Sequence, residues 1–198
     1  MSKITLNKAL PWILIVAGVI GVLASAIIMI EKLHVAQDPS YQPSCNINPI
    51  ISCGSVMKSD QSHIFGFTNP LIGLAAFPVL IVTGMVMLQG LKLKRWYWLG
   101  LQIGTVFGIG FVHWLYYQTT YNINALCPYC IAVWIATITT FWYVLLFNLQ
   151  EGHIKLPKRW AGFGQWLRTY HLDILLFWFL VLILLDVKHF WYYIGTNL

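Results

Sequence analysis

Five stretches of this chain are long, apolar and almost free of charge, and no other feature constrains its fold as tightly. They lie at about 11–30, 70–91, 96–117, 127–149 and 172–194. A helix needs about twenty apolar residues to cross the hydrocarbon of a bilayer, and Pro11 to Ile30 supplies twenty without a charge. Charged residues make up 9% of the chain and hydrophobic residues 59%. A soluble domain carries roughly 25% charged residues, and one of this size has nowhere to hide so much apolar surface. The chain is therefore expected to be an all-α membrane protein, a single integral domain over 1–198 whose first partner is the lipid bilayer. The net charge of +6 does not point to nucleic acid, because Lys and Arg fall mainly in short segments between apolar runs, where they mark topology.

The first run resembles a signal peptide at Lys3, Lys8 and Ala24-Ser25-Ala26, but Ile27 to Ile30 continue it, so an uncleaved helix is expected. Asn69-Pro70 reads as the start of the second helix, with Asn as a cap and Pro at the first helical position. Gly100, Gly104 and Gly108 form a bare stripe on the third, which reads as a surface for close helix packing. The fifth run is unbroken for only the twelve residues Ile174 to Leu185, and Asp186, Lys188 and His189 belong at its interfacial end with Trp191, Tyr192 and Tyr193. With the N-terminus in the cytoplasm, the inner segments hold Lys3, Lys8, Lys92, Lys94, Arg95, Lys155, Lys158, Arg159 and Arg168. The outer segments then hold only Lys32, Lys58 and Lys188 of the twelve basic residues. This bias predicts a multi-pass plasma (inner) membrane protein with the 31–69 loop outside. The mixed segment Ser55 to Thr68 predicts a short helix at the membrane surface.

The four cysteines form two pairs, Cys45/Cys53 in the outer loop and Cys127/Cys130 at the outer end of the fourth helix. The outer side is where disulfides persist. Positions i and i+3 share a helical face within disulfide range. Unpaired N–H groups and the positive end of the helix dipole stabilise a thiolate there. A CxxC motif serves redox or metal chemistry. Zinc needs four ligands, usually as two close pairs, and eight residues separate Cys45 from Cys53, so no metal is expected. A static bridge closing so short a loop stabilises little, so a cycling one is expected, although a purely structural pair of disulfides remains open at this point.

These features occur in a particular order. The first helix is followed by Cys45 and Cys53, then Val56 and Ser59, Phe65-Gly66, Asn69-Pro70, and Cys127-Pro128-Tyr129-Cys130 opening the fourth helix. In that order the chain resembles the vitamin K epoxide reductase family over about residues 10–150, and most closely its bacterial disulfide-forming members. The resemblance implies a four-helix transmembrane bundle around a quinone pocket, plus a fifth, peripheral transmembrane helix. It implies Cys130 beside a quinone (of ubiquinone, menaquinone or phylloquinone type), Cys127 as its disulfide partner, Cys53 exchanging with Cys127, and Cys45 meeting the protein partner. Ser59 matches a hydroxyl residue beside the quinone, and Trp134 a pocket-lining aromatic. Many bacterial members carry a fused thioredoxin-like domain; here a separate, exported thioredoxin-like protein is implied.

A quinone ring would sit among apolar and aromatic side chains at the outer end of the bundle, for which Met57, Phe65, Phe67, Trp114, Tyr117 and Trp134 are candidates. His113 is an ionisable group inside a span; it either relays protons to the reduced quinone or hydrogen-bonds a neighbouring helix. The expected function is thiol oxidation coupled to quinone reduction, in support of disulfide formation in secreted proteins. Reduction of vitamin K or its epoxide is the alternative within the same chemistry. A transporter with structural disulfides is the alternative outside it, for which the spans offer little polar lining beyond Gln102, His113 and threonines.

Overall fold

The computed structural model describes residues 3–38, 40–155 and 157–194, so both ends of the 1–198 domain lie outside the described residues. Seven α-helices follow in order: α1 Lys3–Gln37, α2 Cys53–Lys58, α3 Pro70–Leu88, α4 Arg95–Tyr117, α5 Pro128–Gln150, α6 Ala161–Thr169 and α7 His171–Ile194. A 3₁₀ turn at Asp60–His63 follows α2, and a π-helical turn at Gln118–Ile123 prolongs α4. Among the described residues the only extended pairing is a single parallel bridge between Ile51 and Leu126. Five segments are long and apolar enough to span a membrane: Leu6–Gln37, Pro70–Leu88, Arg95–Ile123, Pro128–Gln150 and His171–Tyr192. The protein is an all-α, multi-pass membrane protein.

Local sequence explains most of the helix ends. α3 begins with Pro70 at its first position, where the missing N–H costs nothing. It ends three residues earlier than the apolar run, because Gly90 adopts φ 77°. With Gly90 left-handed, its N–H bonds Met87 O at 3.0 Å and the Leu91 N–H bonds Val86 O at 3.3 Å, the paired closure that glycine allows after a helix. Asn69 does not cap α3 with its side chain. Its Nδ2 instead donates to Gln61 O at 2.7 Å and secures the 3₁₀ turn. α1 exceeds the expected 11–30 at both ends, continuing through Glu31 and Lys32 to Gln37. α6, a short helix between two spans, and the residues flanking it carry a ladder of ring contacts through Trp160, Phe163, Trp166 and Tyr170.

Four spans make the bundle. α1 packs along α3 and α5, and α5 packs along α4. The main core runs through Leu10, Leu14, Phe77, Ile138, Val144 and Leu146. α7 is peripheral: it presents Leu172, Leu176, Phe177, Leu180, Ile183 and Leu184 outward, as a lipid-facing surface should. Interhelical hydrogen bonds fix its other face. Trp142 Nε1 donates to His171 O at 2.9 Å, Tyr116 OH to Leu182 O at 2.9 Å, and Thr120 Oγ1 to Asp186 Oδ1 at 2.9 Å.

The bundle end away from the cysteines is closed by a saturated polar network. Asn148, fully buried, donates to Gln102 Oε1 at 3.1 Å and Trp98 O at 3.3 Å, and its Oδ1 lies 3.0 Å from His153 Nδ1. Arg95 Nε donates to His153 O at 2.9 Å. Gln102, expected as a lone polar side chain in a span, is one of the groups these bonds satisfy.

Candidate active site

The opposite end of the bundle holds all four cysteines. Cys127 is the N-cap residue of α5, with Pro128 at the first helical position. Its pKa falls below the usual thiol range, chiefly because the Cys130 thiol hydrogen-bonds its sulfur, aided by the backbone N–H groups of Cys130 and Tyr129. Those N–H groups are the orphan donors of a helix start.

Backbone pairing delivers the second cysteine couple to the first. Leu126 N–H donates to Ile50 O at 2.7 Å, and Ser52 N–H donates to Leu126 O at 3.1 Å. This short ladder places the residues just before Cys53 against the residue just before Cys127. Cys45 and Cys53 form a disulfide, while Cys127 and Cys130 are free thiols. Cys45, Cys53 and Cys127 pack into one buried cluster with Ile28 and Met57, and Cys130 lies against it. The bridge itself is shielded, with Cys45 5% and Cys53 0% exposed. Glu31 holds the loop over it by accepting from Tyr41 OH at 3.0 Å and Ser44 Oγ at 2.9 Å. Asn46 Oδ1 adds a bond from Gly54 N–H at 2.9 Å.

Beside the sulfurs opens a cavity of about 550 Å³, lined by Cys127, Cys130, Met57, Ser59 and Trp134 among others. α3 and α4 face one another across it, and it continues along α4 as far as Tyr97 and Trp96. There Tyr97 OH donates to Thr83 Oγ1, whose own hydrogen goes to Val79 O at 2.6 Å. Ser59 Oγ donates to Val56 O at 2.7 Å, so its oxygen faces the site as an acceptor. Trp134 is buried against Tyr116, Val112 and Cys130.

Five of the expected pocket residues, Phe65, Phe67, Trp114, Tyr117 and His113, are not in the cavity wall. Phe65 is not part of the lining; it is half exposed and leans on Phe107 and Phe111, which do line the cavity. His113 turns away from the cavity toward α7. One tautomer satisfies both its nitrogens: Nδ1–H donates to Ile109 O at 2.9 Å, and Nε2 accepts from Trp178 Nε1 at 3.0 Å. His113 is therefore the hydrogen bond to a neighbouring helix and not a group beside the cavity. Sequence reasoning missed Phe107, Phe111, Lys32 and Ser62 in the wall. It also missed Asn69, whose Oδ1 is buried without a partner.

The model of the vitamin K epoxide reductase family matches residues 12–145. The chain belongs to that family. The matched span runs from Trp12 within α1 to Leu145 within α5, takes in all four cysteines, and leaves α6 and α7 outside. Membership of the vitamin K epoxide reductase family makes this membrane protein an oxidoreductase. A search of curated proteins found no match.

Proposed function

We propose that this member of the family oxidises the dithiol of an exported thioredoxin-like protein and delivers the electrons to a quinone, in support of disulfide formation outside the plasma (inner) membrane. One observation carries the reading: two cysteine couples, one bridged and one free, share a buried cluster, and the free couple, Cys127 and Cys130, lines a large apolar cavity. The basic residues support an orientation with the N-terminus in the cytoplasm and the sulfur end outside.

The cavity fits a quinone. It is apolar over most of its wall, and the polar side chains that line it include Ser59, Ser62 and Asn69. Trp134, Phe111, Met57 and Ser59 would hold the ring there, and the cleft between α3 and α4 would take an apolar tail. A bound quinone supplies an acceptor for two electrons and two protons, which one dithiol provides.

The protein's own residues perform the exchange. The partner's dithiol reduces the Cys45–Cys53 bridge, once the loop held by Glu31 swings clear. With the Cys127–Cys130 pair starting as a disulfide, oxidised in the preceding turnover, Cys53 thiolate then attacks Cys127 Sγ, breaking that bond and expelling Cys130. Cys45 next attacks Cys53 and expels Cys127, which restores the outer bridge and leaves two thiols at the cavity. That product is the arrangement in the structure. A low thiol pKa makes Cys127 a good leaving group, so its place at the helix start biases the relay inward.

The test is reoxidation of a reduced thioredoxin-like protein by purified enzyme with added quinone. Cys130→Ala should abolish it while Cys45–Cys53 still forms; unchanged turnover in that variant refutes the assignment. The lowered Cys127 pKa has a further consequence. Its thiolate is the favoured form at lower pH than for a free thiol, so the back-exchange from Cys127 to Cys53 should rise with pH and level off with a midpoint below that of an unperturbed cysteine thiol measured alongside. A midpoint at or above that of the reference thiol in stopped exchange experiments contradicts the proposed leaving-group role.

A further inference from the structure

Among the described residues, one cation stands in the wall of this apolar cavity. Lys32, near the end of α1, is half-buried and lines the cavity with Ser59 and Ser62. Its Nζ donates to Ser62 Oγ at 2.7 Å and to Ser62 O at 3.3 Å. An ammonium has three donors, so these two bonds leave one N–H. Among the described residues no carboxylate pairs with it. The adjacent Glu31 is turned to Tyr41 and Ser44. A positive charge half out of water, answered only by a neutral hydroxyl and a carbonyl, is costly, and near a membrane span such a group marks a functional site.

We propose that Lys32 stabilises negative charge on a quinone oxygen and so favours the reduced form at the sulfur end of the cavity. The inference rests on the quinone reading above and assigns a residue to it. In the net reaction the Cys127–Cys130 bond forms, two S–H bonds break, and both carbonyl oxygens of the quinone end as hydroxyls. Electron density reaches an oxygen before its proton does, and a fixed ammonium lowers the energy of that charge separation. Lys32 sits where it can act: Ser62, which it grips, also bonds Met57 O at 2.9 Å, and Met57 belongs to the cysteine cluster. The grip on Ser62 also gives Lys32 a plain structural task, holding the 3₁₀ turn to α1, and a test must separate the two.

Equilibrium binding separates them. Two probes of nearly equal shape suffice: a hydroxynaphthoquinone, ionised at neutral pH, and its neutral methyl analogue. Calorimetric titration of the detergent-solubilised full chain should show a preference for the anion in the wild type. Lys32→Met should lower affinity for the anion by about tenfold or more, a modest part of what loss of one oxyanion donor costs, and leave the neutral probe within about twofold, less than the tenfold that 1.4 kcal/mol represents. Lys32→Arg should retain the anion preference. Peptide mapping without reductant should find the Cys45–Cys53 bridge intact in both variants. Equal loss of both probes in Lys32→Met, or loss of neither, overturns the assignment while the quinone reading stands. If the wild type binds neither probe, the quinone reading falls and the assignment falls with it.

Discussion

Two glycine-bearing helix faces in this bundle look alike in sequence and behave in opposite ways. Along α1 and α3, Gly18, Gly21, Gly73 and Gly84 are in tight contact. A Cβ on Gly84 would come within 2.6 Å of Pro11 O and of Ile15, one on Gly18 within 2.6 Å of Ile81, and one on Gly21 would overlap the Phe77 ring. On α4, Gly100 and Gly104 have nothing within 4 Å of such an atom, and only Gly108 touches α5, with Thr137 3.2 Å away. The first set lets two helices close until backbones nearly touch. The second set faces the cavity, where bare backbone widens a cleft. The same residue type therefore seals one side of the bundle and opens the other.

That contrast can be broken experimentally, and the largest effect should come from filling the open side. Gly104→Leu places a side chain in the cleft from a position where its Cβ would meet nothing within 4 Å. It should raise the KM for quinone by about tenfold or more, since a steric loss of only 1.4 kcal/mol is already tenfold, with the Cys45–Cys53 bridge and thermal stability unchanged. A normal KM would mean that the cleft holds no part of the quinone. On the sealed side, Gly84→Ala drives a methyl group against the Pro11 carbonyl, and backbone cannot move aside as a flexible side chain can. Unfolding should become easier by about 1–3 kcal/mol in a denaturant titration, with turnover per folded molecule retained. A neutral result would show that α1 and α3 separate more readily than their contacts imply. The smallest effect belongs outside both faces. Trp178→Phe removes the bond to His113 Nε2 and should cost about 0.6 kcal/mol, the average for such interhelical bonds, with turnover within about twofold of wild type. A large loss of quinone reduction would restore a proton-relay role to His113.

The same contrast shows what the sequence makes legible. The five spans could be read directly, because length and apolarity alone decide membrane crossing. The start of α5 was legible as well: Pro128 and two cysteines in the first turn carry their meaning locally. Helix facing was not legible. A span that is apolar nearly all round gives no sign of which stripe meets a neighbour and which meets a cavity, so Gly100 and Gly104 read as packing residues and His113 as a pocket residue. Lys32 escaped notice for a related reason. The charges at Glu31 and Lys32 read as the end of the first helix, yet α1 continues for another turn and holds Lys32 against the cavity. α6 was missed because its nine residues hold only Phe163, Trp166 and Leu167 as large apolar side chains, too few to register as a run.

At the centre of the account is a direct sulfur transfer between the outer loop and the start of α5. The Cys45→Ser, Cys130→Ser double variant removes the partner of each exchanging cysteine. Mass-spectrometric peptide mapping of membranes oxidised without reductant should then find Cys53 joined to Cys127 as the predominant bridge. If both sulfurs instead remain free and open to alkylation while the protein is folded, the two couples do not exchange, and the relay is wrong.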